Sequence, residues 1–80
     1  MILKPVTSEK AVKMIDLDNI ILFETGREEK KPNIKIEVER LFSVKVDTVK
    51  THIKGNKKYA YVKINKKNPA IDIATRLGMI

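Results

Sequence analysis

Eighty residues with a formal net charge of +7 and a pI near 9.8 make one small basic domain, able to bury only about 60–65% of the surface its unfolded chain exposes. The absence of cysteine excludes a disulfide framework and a thiolate metal site, and 42% hydrophobic residues are too many for a disordered tail. No basic start followed by a long apolar run opens the chain, so neither a signal peptide nor a membrane-spanning helix is expected, and a cytoplasmic protein is.

In chain order, Ile2–Val6 reads as a short strand ending at Pro5. Thr7 or Ser8 then caps a helix with Glu9 in its first turn, where a carboxylate complements the helix dipole. Ala11, Val12, Met14 and Ile15 give this helix one apolar stripe, which runs out near Asp16–Asn19. Ile20-Ile21-Leu22-Phe23 is a continuous β-branched and aromatic run, expected as a strand covered on both faces. Glu24 to Lys31 is polar throughout and reads as a loop. Pro32 suits the first turn of a second helix, whose stripe is Ile34, Val38, Leu41 and Phe42. Ile36 falls off that stripe and either faces a partner or is simply exposed.

Val44, Val46 and Val49 alternate roughly with Lys45, Asp47 and Thr48 in a strand that continues towards Ile53. Gly55-Asn56 reads as a tight hairpin turn, and Tyr59 to Asn65 as the return strand. Pro69 opens a last helix, Ala70–Leu77, stopped by Gly78, with Ile71, Ile73, Ala74 and Leu77 suited to packing on the sheet. The order strand-helix-strand-helix-strand-strand-helix specifies a small single-domain α+β fold. An antiparallel sheet of three to four strands is packed by two to three helices.

Charge is distributed unevenly. Residues 1–49 balance nine Lys/Arg with nine Asp/Glu, and residues 68–80 balance Arg76 with Asp72. Between them Lys50, Lys54, Lys57, Lys58, Lys63, Lys66 and Lys67 stand without one acid, so the whole net charge comes from this segment and points to a polyanion. A merely solvated strand pair is the bland alternative, since lysine is common on exposed strands. Alternate strand positions share a face, which groups Lys50, His52 and Lys54, and groups Lys57, Tyr59, Tyr61 and Lys63. Ammonium groups can follow phosphates there while a tyrosine stacks a splayed base. Either tyrosine could equally belong to the core.

No catalytic constellation is present. His52 has no histidine partner, and the pairs Asp16/Asp18, Glu28/Glu29 and Glu37/Glu39 sit in loops or diverge on a helix. Three scattered glycines make no phosphate loop. An enzyme, a metal site and a cofactor are all unexpected.

These local signals combine into a resemblance that covers the whole chain. Pro5-Val6-Thr7-Ser8-Glu9-Lys10-Ala11 resembles the N-terminal signature of the universal large-subunit ribosomal protein twenty-three family. Ile34-Lys35 and Val38-Glu39-Arg40-Leu41-Phe42-Ser43-Val44-Lys45-Val46 resemble its central helix-to-strand passage. Val49-Lys50-Thr51 and Lys57-Lys58-Tyr59-Ala60-Tyr61-Val62-Lys63-Ile64 resemble its two last strands, and Ala74-Thr75-Arg76-Leu77-Gly78 an archaeal ending.

The resemblance implies a single ribosomal RNA-binding domain over residues 1–80, part of the large ribosomal subunit beside the polypeptide exit tunnel. It implies ribosomal protein twenty-nine as neighbour, and a share in the docking site of signal recognition particle and the protein-conducting channel. Glu9 matches the glutamate that meets a ribosome-bound chaperone in bacterial relatives, and is the expected protein-docking residue. The expected RNA contacts are Lys4, Lys10, Lys13, Lys30, Lys31, Lys50, His52, Lys54, Lys57, Lys58, Tyr59 and Lys63. Two departures stand out. Gly55-Asn56 replaces the long basic loop with which bacterial relatives enter the tunnel, and Lys30 stands where the second helix often has a capping threonine. A free-standing RNA-binding module is the alternative reading.

Overall fold

The structure, a computed structural model, describes residues 3–79. The first strand, β1, spans Lys4–Pro5; Ile2, where the sequence starts it, lies outside the described residues. Helix α1 is Glu9–Asp18, and Ser8 is its cap: the Ser8 Oγ accepts from the Ala11 N–H at 3.2 Å. The helix ends at Asn19, whose φ of 56° is left-handed, a conformation asparagine tolerates better than most residues. Strand β2 runs over Ile20–Thr25, helix α2 over Lys31–Phe42, and strands β3 and β4 over Val46–Lys54 and Lys57–Ile64. Helix α3 is Ala70–Arg76, followed by Gly78 at a φ of 74°. The element order is the one expected from the sequence.

The strands form one antiparallel sheet in the order β1-β2-β4-β3. Because β4 is antiparallel to both neighbours, β2 and β3 run parallel, joined by α2 with β4 inserted between them. This is a split β-α-β unit. All three helices lie on one face, α1 against β2 and α2 against β3. Ile21, Phe23, Ala60, Val62, Ile64 and Val46 meet Ile15, Ile34, Val38, Ala70, Ile73 and Ala74 there. The Phe23 and Phe42 rings stack at 6.4 Å between centroids. Burying an aliphatic or aromatic side chain contributes about 1.5–3 kcal/mol, so this layer supplies most of the driving force.

Several expectations need correction. Glu24 and Thr25 are strand, not loop, because β4 is long enough to give them partners in Tyr59 and Lys58. Leu41 is 49% exposed. The row Ile34–Val38–Phe42 faces the sheet, and Leu41 lies about 60° round the helix from Val38. Ile71 is likewise off its helix's buried side, at 39% exposure. Val44 precedes the strand, since Ser43 closes α2 in the left-handed region (φ 54°). A bulge between Val46 and Thr48 explains the uneven valine spacing: the extra residue, Asp47, lets Val46 and Val49 share the core face although they stand three apart.

Of the two turn residues Gly55 and Asn56, only Gly55 has a positive φ, 63°. That is the type II′ pattern, which takes glycine first and matches the twist of the flanking strands.

Asn19 ties the layers together. Its Nδ2 donates to the carbonyl oxygens of Ile64 (2.7 Å), Asn65 (3.3 Å) and Asn68 (3.3 Å), and its Oδ1 accepts from the Ala70 N–H at 2.6 Å. One side chain thus fixes the end of β4, the following turn and the start of α3.

Candidate nucleic-acid interface

With every helix on one side, the other side of the sheet has no helical cover. Register decides what it carries. On β4 the core positions are Lys58, Ala60, Val62 and Ile64, so Lys57, Tyr59, Tyr61 and Lys63 project from the open face. On β3 the partners of those residues, Lys54, His52, Lys50 and Thr48, project beside them. Strand β2 adds Ile20, Leu22 and Glu24, and β1 adds Lys4 opposite Glu24. Two groups that the sequence left as separate alternations are therefore one surface.

Its centre is aromatic and shallow. Val6, Leu22, His52, Lys54, Tyr59 and Tyr61 line a depression of about 300 Å³. Leu22 is only 8% exposed although it points away from the helices, so the ring-bearing residues around it shield this floor. Both tyrosines are half-buried and neither is in the helix-side core. Tyrosine rings beside an apolar floor on an open face can take a stacked base.

The lysines frame this centre. Lys50, Lys54, Lys57 and Lys63 are all exposed, and among the paired positions of this face Glu24 is the one carboxylate. Glu24 is met by Lys57, with Nζ 3.5 Å from Oε1. The rest of the positive potential faces outward, where a phosphate chain would be neutralised and its counterions released.

The remaining expected residues lie elsewhere. Lys10 and Lys13 are on the exposed side of α1, in the helix layer; Lys13 Nζ is 3.8 Å from Glu9 Oε1, one turn away. Glu9 itself opens α1 with its side chain 88% exposed. Lys30 and Lys31 are at the start of α2, where Lys30 occupies the cap position and makes no side-chain capping bond. Lys58 points to the helix side, and its Nζ donates to the carbonyl oxygen of Glu29. Of the twelve expected contacts, the sheet gathers Lys4, Lys50, His52, Lys54, Lys57, Tyr59 and Lys63. Leu22 and Glu24 also belong to the face; strand alternation continued through Thr25 was the signal that could have found them.

On the outer surface of α2, Arg40 forks onto Glu37 at 3.1 and 2.9 Å and holds that carboxyl below the usual range. Among the described residues no group of three or more His, Asp or Glu side chains could hold a metal ion, and no helix is long and apolar enough to cross a membrane.

Comparison with known proteins finds likeness along nearly the whole chain. The model of a family described as ribosomal protein L23 matches residues 1–75. The large ribosomal subunit protein uL23 of Methanothermobacter thermautotrophicus is 38% identical over 80 residues, spanning 99% of this chain and 93% of that one.

Proposed function

The chain belongs to the ribosomal protein L23 family, and from that premise we propose that it is a structural constituent of the large ribosomal subunit which grips large-subunit ribosomal RNA with the open face of its sheet. The observation that carries this reading is the convergence of Lys50, His52, Lys54, Lys57, Tyr59, Tyr61 and Lys63 on the one face no helix covers. Lysines take phosphates, the tyrosine pair takes an unstacked base, and the helix layer behind keeps the strands in register. Each neutralised phosphate steepens the salt dependence of binding by about 0.7–0.9 in log–log slope. Its place of action is the ribosome in the cytoplasm.

The finer reading places the protein beside the exit tunnel, next to ribosomal protein twenty-nine. Glu9, exposed at the start of α1 and on the layer opposite the RNA face, is then free to meet signal recognition particle or the protein-conducting channel. The two-residue turn at Gly55-Asn56 ends the hairpin at once, so this hairpin does not extend into the tunnel.

Sedimentation of a cell lysate through a sucrose gradient in high salt, with the protein followed by immunoblot, tests the assignment. Co-migration with large subunits after the salt wash is the expected result. Retention at the top of the gradient would replace the ribosomal reading with that of a free RNA-binding module.

A further inference from the structure

The sheet has two ends. At one, β1 is two residues long; at the other, β3 presents nine residues as an outer edge. The two-residue turn fixes which of its backbone groups are free. Lys54 and Lys57 close that turn as a hydrogen-bonded pair, so Lys50, His52 and Lys54 bond inward to β4, and Val49, Thr51 and Ile53 aim their N–H and C=O outward. Side chains divide the same way. Lys50, His52 and Lys54 lie on the open face, while Val49, Thr51 and Ile53 lie on the helix side, where Ile53 is 51% exposed. Beside this edge runs a groove of about 350 Å³ between α2 and β3, lined by Lys31, Pro32, Lys35, Asp47, Thr48 and Val49.

We propose that the outer edge of β3, while the open face is free of RNA, accepts an extended acidic peptide segment of a partner protein, added antiparallel as a fifth strand that competes with RNA for Lys50, His52 and Lys54. The peptide's backbone pairs with Val49, Thr51 and Ile53. Its apolar side chains drop on alternate positions towards the groove and Ile53, and its carboxylates face Lys50, His52 and Lys54 on the other side. Charge selects this occupant over a second copy of the chain. Antiparallel self-pairing about His52 would set Lys50 and Lys54 of one copy directly against Lys54 and Lys50 of the other, and like charges on facing strands repel. The one acid along the edge, Asp47, sits at the bulge and accepts from Asn65 Nδ2 at 2.9 Å, so pairing stops there.

The test uses the full chain and a blocked, fluorescently labelled peptide of alternating Glu and Val, read by polarisation and by amide hydrogen exchange. Binding is expected, with slowed exchange at Val49, Thr51 and Ile53. N-methylation of the peptide's Val residues, whose N–H groups point at β3, is expected to weaken binding about tenfold or more, through loss of hydrogen bonds worth about 1 kcal/mol each. N-methylation of its Glu residues, whose N–H groups point away, is expected to leave binding unchanged. Thr51→Pro, which removes an outward donor at a position where an edge strand tolerates proline, should act like the Val methylation. Equal binding of both methylated peptides would reduce the interaction to charge alone and overturn the proposal. So would tight binding of an alternating Lys-Val peptide, or an oligouridine that slows the same three amides, which would make this edge an RNA site instead.

Discussion

Removing the Asn19 side chain should cost more stability than its half-exposed position suggests. In Asn19→Ala the buried Ala70 N–H loses its acceptor, at about 1–3 kcal/mol for an unsatisfied buried donor. The 2.7 Å bond to the Ile64 carbonyl oxygen goes too, at a net of about 1 kcal/mol. Alanine must also hold the left-handed φ of 56°, which costs about 1 kcal/mol more. The sum is about 3–5 kcal/mol, or a fall in Tm of roughly 12–40 °C for a chain this small. Asn19→Gly keeps the backbone conformation at ease and should lose about 1 kcal/mol less than alanine. Asn19→Asp retains the acceptor for Ala70 but turns a carboxylate towards three carbonyl oxygens, and should fall below glycine. Urea unfolding followed by far-UV circular dichroism reads all three. An alanine variant within about 0.5 kcal/mol of the parent would refute the reasoning, because that is the spread of an ordinary surface substitution.

Against a fragment of large-subunit ribosomal RNA, the Lys50→Gln/Lys54→Gln double variant should lower the log–log salt slope by about 1.4–1.8, and Lys10→Gln/Lys13→Gln should leave it nearly unchanged; fluorescence anisotropy across a salt series separates the two, and equal losses would remove the open face from its role. Tyr59→Ala should weaken the same complex by about 1–3 kcal/mol with an unaltered salt slope, the signature of lost stacking rather than lost charge, measured by anisotropy at fixed salt. Thr25 Oγ1 is buried without a hydrogen-bond partner, so Thr25→Val should raise stability by about 1 kcal/mol in urea titration. Gly55→Ala meets no steric neighbour within 4 Å, and should still cost about 1–2 kcal/mol through its positive φ alone, seen as a lower urea midpoint.

The sequence made the elements legible wherever local chemistry decides them. Ser8 before a helical stripe, Pro32 at a helix start and Gly55 in a turn each act through bonds within a few residues, and each stands where expected. What it hid was set by partners far along the chain. Glu24 and Thr25 look like loop residues until Tyr59 and Lys58 pair with them. The uneven spacing of Val44, Val46 and Val49 hides a bulge that only the register against β4 exposes. The open face was half visible: period two grouped the lysines of each strand, but not the insertion of β4 beside β2. That insertion makes Leu22 the floor under Tyr59 and Tyr61 and brings Glu24 against Lys57. Asn19 gave no signal, since its four partners lie 45 to 51 residues away.

The one-sided architecture also links stability to function. Three short helices cover only one face of a four-stranded sheet, and the other must remain soluble until its partner arrives. Lysines at alternate positions achieve that, at the cost of mutual repulsion: Lys54 and Lys57 face each other across the turn, and Glu24 relieves only one of the cations on this face. Bound RNA would remove that repulsion through its phosphates and stack a base against the tyrosines in the same step. RNA that binds the folded chain and not the unfolded one stabilises it by RT ln(1 + [RNA]/Kd), about 2.7 kcal/mol at a hundredfold excess over Kd. Gains of that size are comparable with the penalty expected for Asn19→Ala. A variant marginal in isolation should therefore regain most of its Tm when mixed with the RNA fragment, and fail to do so once Lys50 and Lys54 are also neutralised.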